Sequence, residues 1–551
     1  MSKNLSHLSF RKGLEDNLFE EIGQLGKDRQ QTVAELKDIA DEYLLGTANV
    51  FGTASFYDFT REANAGKKAY VCNGSACLVA GTQDQLKLKL GEHYRSDEIG
   101  EMCCLGRCHE NSAFHINGHN YSGSDVEQIT QIKGGEQLGS HEKYFVGHMG
   151  SSILTGASPD PEEVLLRLRE MLDKGPSGLL EEIKMSGLRG RGGAGFPIGI
   201  KLEGCMKAEG DVKFIVCNAD EGDPGSYSDR YLLEKQPLLV LLGMWISGYI
   251  TGASRGVVYI RAEYPESVEA VRRAVEMLRQ EKITGNNIFG SQFNFEFKVI
   301  KAQGAYICGE ETALLSSIEG QRPEVRVRPP FPVQEGLFRR PTVVNNVETL
   351  ANLFYICTQG GDAYKAIGTV RSTGTKLMSL DSAFNRPGIY EVDMGTPLND
   401  VIEQLGRGFR RKVKALHIGG PLGGLVPIQM AHSLSVDFES FSNQGFMLGH
   451  ASVVSVPEEY PMIEYLEHLF EFTAHESCGK CFPCRLGSTR GQELIRKART
   501  DSQFKIDTEL LNDLLDTMKR GSLCALGGGI PLPVMNALQY FSGELSPYIK
   551  S

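Results

Sequence analysis

Three cysteines at intervals of three residues are the feature that most restricts what this chain can fold into. Cys478, Cys481 and Cys484 lie in the run ESCGKCFPCR. Three thiolates within seven residues can hold one face of a 4Fe–4S cube, which leaves one iron for a more distant cysteine. Cys524, in SLCALG, is the candidate for that ligand. A structural zinc site would more often pair two C-x₂-C units, so zinc is the alternative here.

A second group of cysteines lies near the start of the chain. Cys72 and Cys77 belong to the segment CNGSAC, and Cys104 and Cys108 belong to CLGRC. Four thiolates from two loops of one small domain suit a 2Fe–2S cluster. Zinc is an alternative, although structural zinc sites favour shorter spacings, and incidental thiols are another. The other cysteines are scattered and are interpreted as small buried residues: Cys103, Cys205, Cys217, Cys308 and Cys357.

Composition and charge exclude several classes of protein. The 551 residues carry a formal charge of −11, and no basic run exceeds residues 410–412, so nucleic-acid binding is not expected. The most apolar stretch, residues 238–250, is shorter than the ~18–20 residues of a membrane span and is expected to be a buried helix. The first residues lack the apolar segment of a secretory signal, so a cytoplasmic protein is expected. Grouped cysteines in that compartment indicate metal or redox chemistry.

The order of apolar strands and helices predicts an α/β multidomain protein. Residues 213–217, 256–260 and 293–300 are predicted strands of one parallel or mixed sheet. Asp160 and Pro161 are typical of a helix start, as N-cap and first helical residue. The predicted divisions are a helical N-terminal region over 1–65, a small α/β domain over 66–135, a linker over 136–158, an α/β domain over 159–365, a β-rich domain over 366–450 and a helical domain over 451–551.

A glycine-rich segment at residues 187–196, GLRGRGGAGF, is a candidate phosphate-binding loop. Its five glycines would let backbone N–H groups converge on a phosphate, and Arg189, Arg191 and Lys201 add positive charge. The segment is neither the dinucleotide fingerprint nor a Walker loop. A surface turn is the alternative.

Two acidic segments support a ligand site. Residues 218–226, NADEGDPGS, follow the predicted strand 213–217, and residues 304–312 read GAYICGEET. Open α/β sheets bind ligands at the carboxyl ends of their strands. Carboxylates placed there could accept hydrogen bonds from ribityl or ribose hydroxyls, although either segment alone is also compatible with a solvated turn.

Six motifs in a fixed order carry a resemblance to a known family. They are GLRGRGGAGFP, CNADEGDPGS, GAYICGEETALLSSIEG, RPTVVNNVETL, ESCGKCFPCR and SLCALG. From about residue 145 to 551 the chain resembles the NADH-binding flavoprotein subunit of respiratory complex I and its relatives. Residues 1–135 resemble the thioredoxin-like 2Fe–2S subunit of the same systems. The resemblance implies a thioredoxin-like domain, a Rossmann-like FMN/NAD domain, a β-grasp domain and a C-terminal helical bundle with a 4Fe–4S cluster.

The resemblance also implies which residues hold FMN and NAD(H). Those implied for FMN are Gly190, Arg191, Gly192, Lys201, Asn218, Asp220, Glu221, Tyr306, Gly309, Glu310, Asn345, Asn346 and Thr349. Phe196 and Phe331 would stack on the nicotinamide nucleotide. Glu311 and Asp223 would lie near its ribose, and Arg328 could contact it. Two departures from the family pattern are Asp223, where many members carry Glu, and the pair at 202–203, Leu-Glu, which replaces an aromatic stretch.

The implied ligands of the clusters agree with the spacings. Cys478, Cys481, Cys484 and Cys524 would bind the 4Fe–4S cluster, and the group of Cys72, Cys77, Cys104 and Cys108 would bind the 2Fe–2S cluster. The histidines are interpreted as structural or surface residues. His109 alone, beside Cys108, is a candidate for a hydrogen bond that tunes the 2Fe–2S cluster.

The resemblance implies an NADH:acceptor oxidoreductase. In the family, NADH passes a hydride to FMN, and electrons then leave singly through iron–sulfur clusters. Fusion of the 2Fe–2S module to the flavoprotein resembles the diaphorase subunit of NAD-reducing hydrogenases. The expected partners are therefore other iron–sulfur and catalytic subunits of a hetero-oligomeric complex, without nucleic acid or direct membrane insertion. The alternatives are the corresponding subunit of an NAD-dependent formate dehydrogenase or of complex I and, in another class, a non-catalytic electron-relay or scaffold subunit.

Overall fold

A computed structural model describes residues 18–26, 31–136 and 144–550 of the chain. Their helices and strands form an N-terminal module, an α/β domain with a parallel sheet, a second, mixed sheet and a C-terminal group of helices. Across these ranges, no helix is both long and apolar enough to span a bilayer. The α/β multidomain class predicted from the sequence is confirmed.

The N-terminal module joins three helices to a small sheet. Its elements are α1 (Leu18–Gly26), α2 (Val33–Glu42), α3 (Thr47–Ala54), β1 (Ala69–Cys72), α4 (Ser75–Ala80), α5 (Gln83–Gly91), β2 (Ile99–Met102), β3 (Phe114–Ile116), β4 (His119–Tyr121) and α6 (Ile129–Lys133). The sheet order is β2-β1-β3-β4, with β1 parallel to β2 and antiparallel to β3. Because β1 ends at Cys72, the sheet itself places one predicted cluster ligand. The predicted helical region over 1–65 lies partly outside the described residues, at 1–17 and 27–30.

The α/β domain has a sheet of four parallel strands in the order β8-β7-β6-β9. Its elements are α7 (Pro161–Ser186), α8 (Ile198–Lys207), β6 (Phe214–Ala219), α9 (Ser228–Lys235), α10 (Pro237–Thr251), β7 (Arg255–Ile260), α11 (Pro265–Gln280), β8 (Glu296–Lys301), α12 (Glu311–Ile318), α13 (Pro332–Glu335), β9 (Thr342–Asn346), α14 (Val347–Gln359) and α15 (Gly361–Lys365). Helix α10 is the apolar stretch expected to be a buried helix. The helix is apolar on all sides because nearly all of its residues are buried. It ends at Gly252, which adopts a left-handed conformation.

The second sheet has six strands in the order β13-β12-β14-β10-β11-β5. Its strands and helices are β5 (Phe145–Met149), β10 (Thr375–Leu380), β11 (Gly388–Asp393), α16 (Leu398–Asp400), β12 (Val413–Ile418), β13 (Gly424–Pro427), α17 (Phe438–Asn443) and β14 (Ser452–Pro457). Strand β5 lies inside the predicted linker, where it pairs in parallel with β11. Its residues are half-buried or exposed, so the sequence lacks the alternation that identifies a strand.

One carboxylate fixes the chain after β5. The Glu391 side chain in β11 accepts hydrogen bonds from the backbone N–H groups of Ile153, Leu154 and Thr155 at 2.8–3.1 Å. Part of the predicted linker is therefore held against the second sheet.

The C-terminal region is helical, as the sequence predicted. Its elements are α18 (Met462–Glu476), α19 (Phe482–Thr500), β15 (Ile506–Asp507), α20 (Thr508–Gly521), α21 (Ala525–Gly529), α22 (Pro531–Tyr540), α23 (Ser542–Leu545) and β16 (Ile549–Lys550). Helices α18, α19 and α20 pack side by side, and the short strands β15 and β16 pair in parallel. Cys478 and Cys481 lie between α18 and α19, Cys484 lies in the first turn of α19, and Cys524 precedes α21.

Candidate cofactor and cluster sites

The glycine-rich loop packs on the start of helix α14. The backbone N–H of Arg191 donates to Thr349 Oγ1 at 2.8 Å, and Gly190 N–H donates to Phe196 O at 2.9 Å. A side chain at Gly192 has no room, because its Cβ would lie 2.9 Å from Asn346 Cβ. These contacts give the loop one fixed path, which argues against an unconstrained surface turn.

The arginine of this loop points into the protein. Arg191 is fully buried, and its Nη2 donates to Tyr364 Oη at 3.1 Å and to Thr373 O at 2.5 Å. Its Nε and Nη1 atoms have no hydrogen-bond partner among the residues that the structure describes. Buried charged donors are rarely left unpaired, so these two atoms indicate an acceptor supplied by a ligand.

Two asparagines end strand β9 at the same edge of the sheet. Asn346 caps α14: its Oδ1 accepts from Thr349 N at 3.1 Å, while its Nδ2 donates to Asp229 Oδ2 at 2.7 Å. The neighbouring Asn345 is buried, and within the described ranges its Nδ2 finds no acceptor. The sequence-predicted group Asn345, Asn346 and Thr349 therefore lies together at a helix N-terminus, where the backbone favours an anion.

Strand β6 delivers the first acidic segment to this edge. Asn218 Nδ2 donates to Gly309 O at 2.7 Å, which ties the two acidic segments together. Asp220 is buried, and its Oδ2 has no donor among the described residues. Burial raises the pKa of the Asp220 carboxyl well above its ordinary value. A ligand that donates a hydrogen bond there would relieve this cost.

Glu221 differs from its expected role, because its side chain is used within the protein. One carboxylate oxygen accepts from Ser226 Oγ and Asp229 N at 2.6 and 2.8 Å, and the other accepts from Arg230 N at 2.9 Å. The carboxylate thus caps the start of α9 and shapes the loop that leads into it. Its backbone φ of 24° is the strained feature of that loop.

Glu310 also serves as a helix cap. Its Oε2 accepts from the N–H groups of Thr312 and Ala313 at 2.9 Å and begins α12. Its Oε1 is buried without a hydrogen-bond partner in the described part of the chain, although Arg328 Nη2 lies 3.7 Å away. One oxygen is therefore structural, and the other remains available to a ligand.

A chain of charges spans the cleft between α8 and α12. Lys201 Nζ contacts Glu311 Oε2 at 3.1 Å and Val344 O at 2.8 Å, and Arg328 Nη1 contacts Glu311 Oε1 at 2.9 Å. Three residues predicted from the resemblance are thereby joined. Because Glu310 also lies 3.7 Å from Arg328, two cations face two carboxylates here, and the charges of the group are paired.

Tyr306 and Asp223 meet at another wall of the site. Tyr306 Oη donates to Asp223 Oδ1 at 2.9 Å, and His450 Nε2 lies 3.1 Å from Asp223 Oδ2. Burial lowers the pKa of His450, but the Asp223 charge and hydrogen bond outweigh it, so the pKa is raised. His450 could not be found from the sequence, because a single histidine far along the chain has no motif around it.

Phe196 and Phe331 have the exposure that ligand stacking requires. Their side chains are 50% and 52% exposed, although most aromatic rings in the described ranges are buried. An exposed ring can stack on a planar ligand.

The N-terminal cysteine group, Cys72, Cys77, Cys104 and Cys108, forms a buried set of thiols. Cys104 Sγ lies 3.5 Å from Cys108 Sγ. A hydrogen bond with Cys104 alone would lower the Cys72 pKa, but hydrogen bonding with Cys77 and burial outweigh it and raise that pKa. The four thiols therefore lie near one another, as the predicted sulfur-only ligand set requires. His109 packs its ring on Tyr144 and Tyr227, with centroids 4.9 and 5.1 Å away.

The C-terminal cysteine group lies nearer the surface. Cys478 and Cys484 are buried, whereas Cys481 and Cys524 are partly exposed. Burial raises the pKa of Cys524 to about 12, and the nearby thiols Cys484 and Cys478 add to the shift. A Cβ at Gly527 would lie 3.0 Å from Cys484 Sγ, so only glycine fits beside this buried cysteine without a shift. Four thiols from two segments fit the 4Fe–4S prediction.

The unpaired polar atoms fit FMN as a ligand. A phosphate suits the glycine loop and the start of α14, and hydroxyl or ring N–H donors suit Asp220 and Glu310. The donors and acceptors lie at the carboxyl ends of β6 and β9, where open parallel sheets bind ligands.

Comparison with known families matches three parts of the chain. Residues 183–355 match the Nuo51 FMN-binding domain, and residues 464–548 match the iron–sulfur binding region of NADH-ubiquinone oxidoreductase-F. Residues 23–134 match the thioredoxin-like [2Fe-2S] ferredoxin. These matches confirm FMN, a 2Fe–2S cluster and a 4Fe–4S cluster as cofactors, and the cysteines that hold the clusters stay a prediction.

Individual proteins are similar over most of their length. The NADP-reducing hydrogenase subunit HndC of Solidesulfovibrio fructosivorans is 40% identical over 384 residues, which is 69% of this chain and 78% of that protein. The NAD-reducing hydrogenase HoxS subunit alpha of Cupriavidus necator is 34% identical over 528 residues, 90% of this chain and 86% of that protein. A crystal structure of an NAD⁺-reducing [NiFe]-hydrogenase in the air-oxidized state gives a TM-score of 0.85 at 26% identity, covering 98% of this chain and 94% of the matched one.

Proposed function

Because this chain belongs to the family of NADH-binding FMN subunits found in complex I and in NAD-reducing hydrogenases, we propose that its described cleft is the site where NAD(H) and FMN meet. The chain is an iron–sulfur flavoprotein with electron-accepting partner subunits. The observation that carries the proposed site is the set of buried, unpaired polar atoms on Arg191, Asp220, Asn345 and Glu310. They surround the carboxyl edge of the parallel sheet.

Bound FMN supplies the chemistry that accepts a hydride from NADH and returns the electrons singly. We assign the phosphate end to the loop at Gly190–Gly192 and to Asn345, Asn346 and Thr349. Lys201 adds positive charge. Asn218, Gly309 and the free oxygens of Asp220 and Glu310 would hold the remaining polar groups, whereas Glu221 shapes the loop.

The nicotinamide nucleotide is assigned to the exposed side of the cleft. Phe196 and Phe331 would enclose its rings, and burial between them would exclude water from the reacting carbon. Glu311 would accept hydrogen bonds from ribose hydroxyls, held by its contacts with Lys201 and Arg328. Asp223 would act from the opposite wall, held by Tyr306.

Turnover with an artificial acceptor tests this function. Protein reconstituted with iron and FMN is mixed with NADH without oxygen, and the flavin absorbance is followed before ferricyanide is added. Bleaching of the flavin followed by steady ferricyanide reduction is expected. A non-catalytic relay or scaffold subunit would show neither, and the paired charges of the cleft argue against that alternative.

We propose further that the chain is the diaphorase part of a hydrogenase complex in the cytoplasm. Support comes from the HoxS similarity, which spans both the 2Fe–2S module and the flavoprotein. Purification from the native source and peptide identification of the companion subunits would test it. A companion that oxidises formate, or the subunits of complex I, would replace the hydrogenase assignment.

A further inference from the structure

The turn Asp223–Gly225 borders both the proposed nucleotide cleft and the 2Fe–2S ligands. At one end, Asp223 accepts a hydrogen bond from Tyr306 Oη at 2.9 Å. At the other end, two residues later, Gly225 N–H points at Cys108 Sγ with an N···S distance of 3.3 Å. Cys108 belongs to the N-terminal module, so this bond crosses between modules.

Packing leaves the turn little freedom. Gly225 has a φ of 103°, and a Cβ there would lie 2.6 Å from Val454 Cγ2, so only glycine fits without a shift. Pro224 lies against the other cysteine segment: a Cβ at Gly74 would be 3.4 Å from Pro224 Cβ. The N–H group is therefore aimed at the sulfur by contacts on both sides.

A buried arginine also joins the loop before this turn to the chain just before the CLGRC segment. Arg261 Nη1 donates to Glu221 O at 2.7 Å, and its Nη2 donates to Cys103 O at 3.2 Å. Its charge is balanced by Glu263 at 2.6 Å. The backbone on each side of the Gly225–Cys108 bond is thus held by one guanidinium.

We propose that Gly225 N–H is a tuning donor to the 2Fe–2S cluster and that the turn transmits changes at Asp223 to that cluster; the second part rests on the proposed function. Adding one electron to a cluster increases its negative charge, which is shared with the ligand sulfurs. A hydrogen bond to a ligand sulfur favours the more negative state, and such bonds help set cluster potentials. The donor is therefore expected to raise the reduction potential.

Pulsed EPR of the whole protein tests the bond directly. Protein grown with ¹⁵N-glycine is reduced by dithionite, which supplies the single electron, and the ¹⁵N couplings of the 2Fe–2S signal are recorded. One coupling is expected to disappear in Gly225→Ala, together with a lower midpoint potential in an EPR-monitored titration. Gly91→Ala is the control. Gly91 lies in the N-terminal module, which also carries Cys108, and a Cβ there would meet nothing within 4 Å.

Pro224→Ala covers the case in which Gly225→Ala fails to fold. It keeps the N–H but loosens the turn, so a weaker ¹⁵N coupling and a smaller fall in potential are expected. Unchanged coupling and potential in both variants would overturn the tuning role even if NADH turnover were normal.

A redox-inert tetrahydro analogue of NADH tests whether the turn transmits changes at Asp223. The analogue is expected to shift the 2Fe–2S potential in the wild type and in Gly91→Ala, but not in Pro224→Ala. If the potential of the wild type does not shift while its ¹⁵N coupling is present, transmission from Asp223 to the cluster is overturned, and the role of Gly225 N–H as a donor is retained.

Discussion

Replacing Gly192 by alanine is expected to weaken FMN binding through a single steric contact. The new Cβ would lie 2.9 Å from Asn346 Cβ, well inside the ~3.5–4.0 Å of a favourable carbon contact. Asn346 cannot turn away cheaply, because it holds Asp229 at 2.7 Å and caps α14 through Thr349 N at 3.1 Å. Overpacking of this kind costs about 1–3 kcal/mol.

The free-energy cost of this overpacking should destabilise mainly the FMN-bound state. The bound state requires the loop and Asn346 in place together, so a shift of either one opposes FMN binding. A difference of about 1–3 kcal/mol corresponds to a Kd for FMN raised about 5- to 150-fold. The assay is quenching of flavin fluorescence as FMN is added to the apo-protein.

A second glycine in the same domain supplies the control. Gly204 lies in α8, and a Cβ there would meet Val333 Cγ2 at 3.5 Å, which is ordinary contact. Gly204→Ala should bind FMN as the wild type does. A wild-type Kd for Gly192→Ala, or an equal loss in Gly204→Ala, would refute the steric reasoning.

Three further outcomes are expected. Cys481→Ser should remove the fast-relaxing EPR signal of the reduced 4Fe–4S cluster and leave the 2Fe–2S signal; survival of both would show that Cys481 is not a ligand. Lys201→Ala should lower FMN occupancy after purification, and full flavin with unchanged turnover would contradict its assigned role. His450→Gln should lower the melting temperature most between about pH 4 and 6.5, since the raised His450 pKa and the lowered Asp223 pKa keep both groups charged there. The difference should shrink at alkaline pH, as His450 loses its proton; a pH-independent difference would contradict the ion pair.

Sequence patterns predicted the elements whose signals are local. The buried helix α10 and the strand β6 were recognisable because an unbroken apolar run has few folded alternatives. Both cysteine groups were recognisable because the spacing of possible cluster ligands can be read directly from the sequence. Strand β5 was missed because it is an edge strand whose partners, in β11, lie more than two hundred residues away.

The sequence predicted which residues lie at the site better than it predicted what each side chain does there. Glu221 and Glu310 lie where the motifs placed them, yet both act wholly or partly as helix caps. An acidic loop has the same composition whether its carboxylate faces a ligand or the next turn of backbone. His450 was not predictable, since its importance arises only when the segment before β14 packs on Asp223.

The contacts between the 2Fe–2S module and the rest of the chain are non-covalent and numerous. Besides the Gly225–Cys108 bond, Arg411 Nη2 donates to Val79 O at 2.6 Å and Ser382 N–H donates to Cys108 O at 3.0 Å. None of these bonds depends on the peptide that joins the modules. The same interface would therefore assemble from two separately synthesised polypeptides, and a proteolytic cut between the modules should leave them associated through gel filtration.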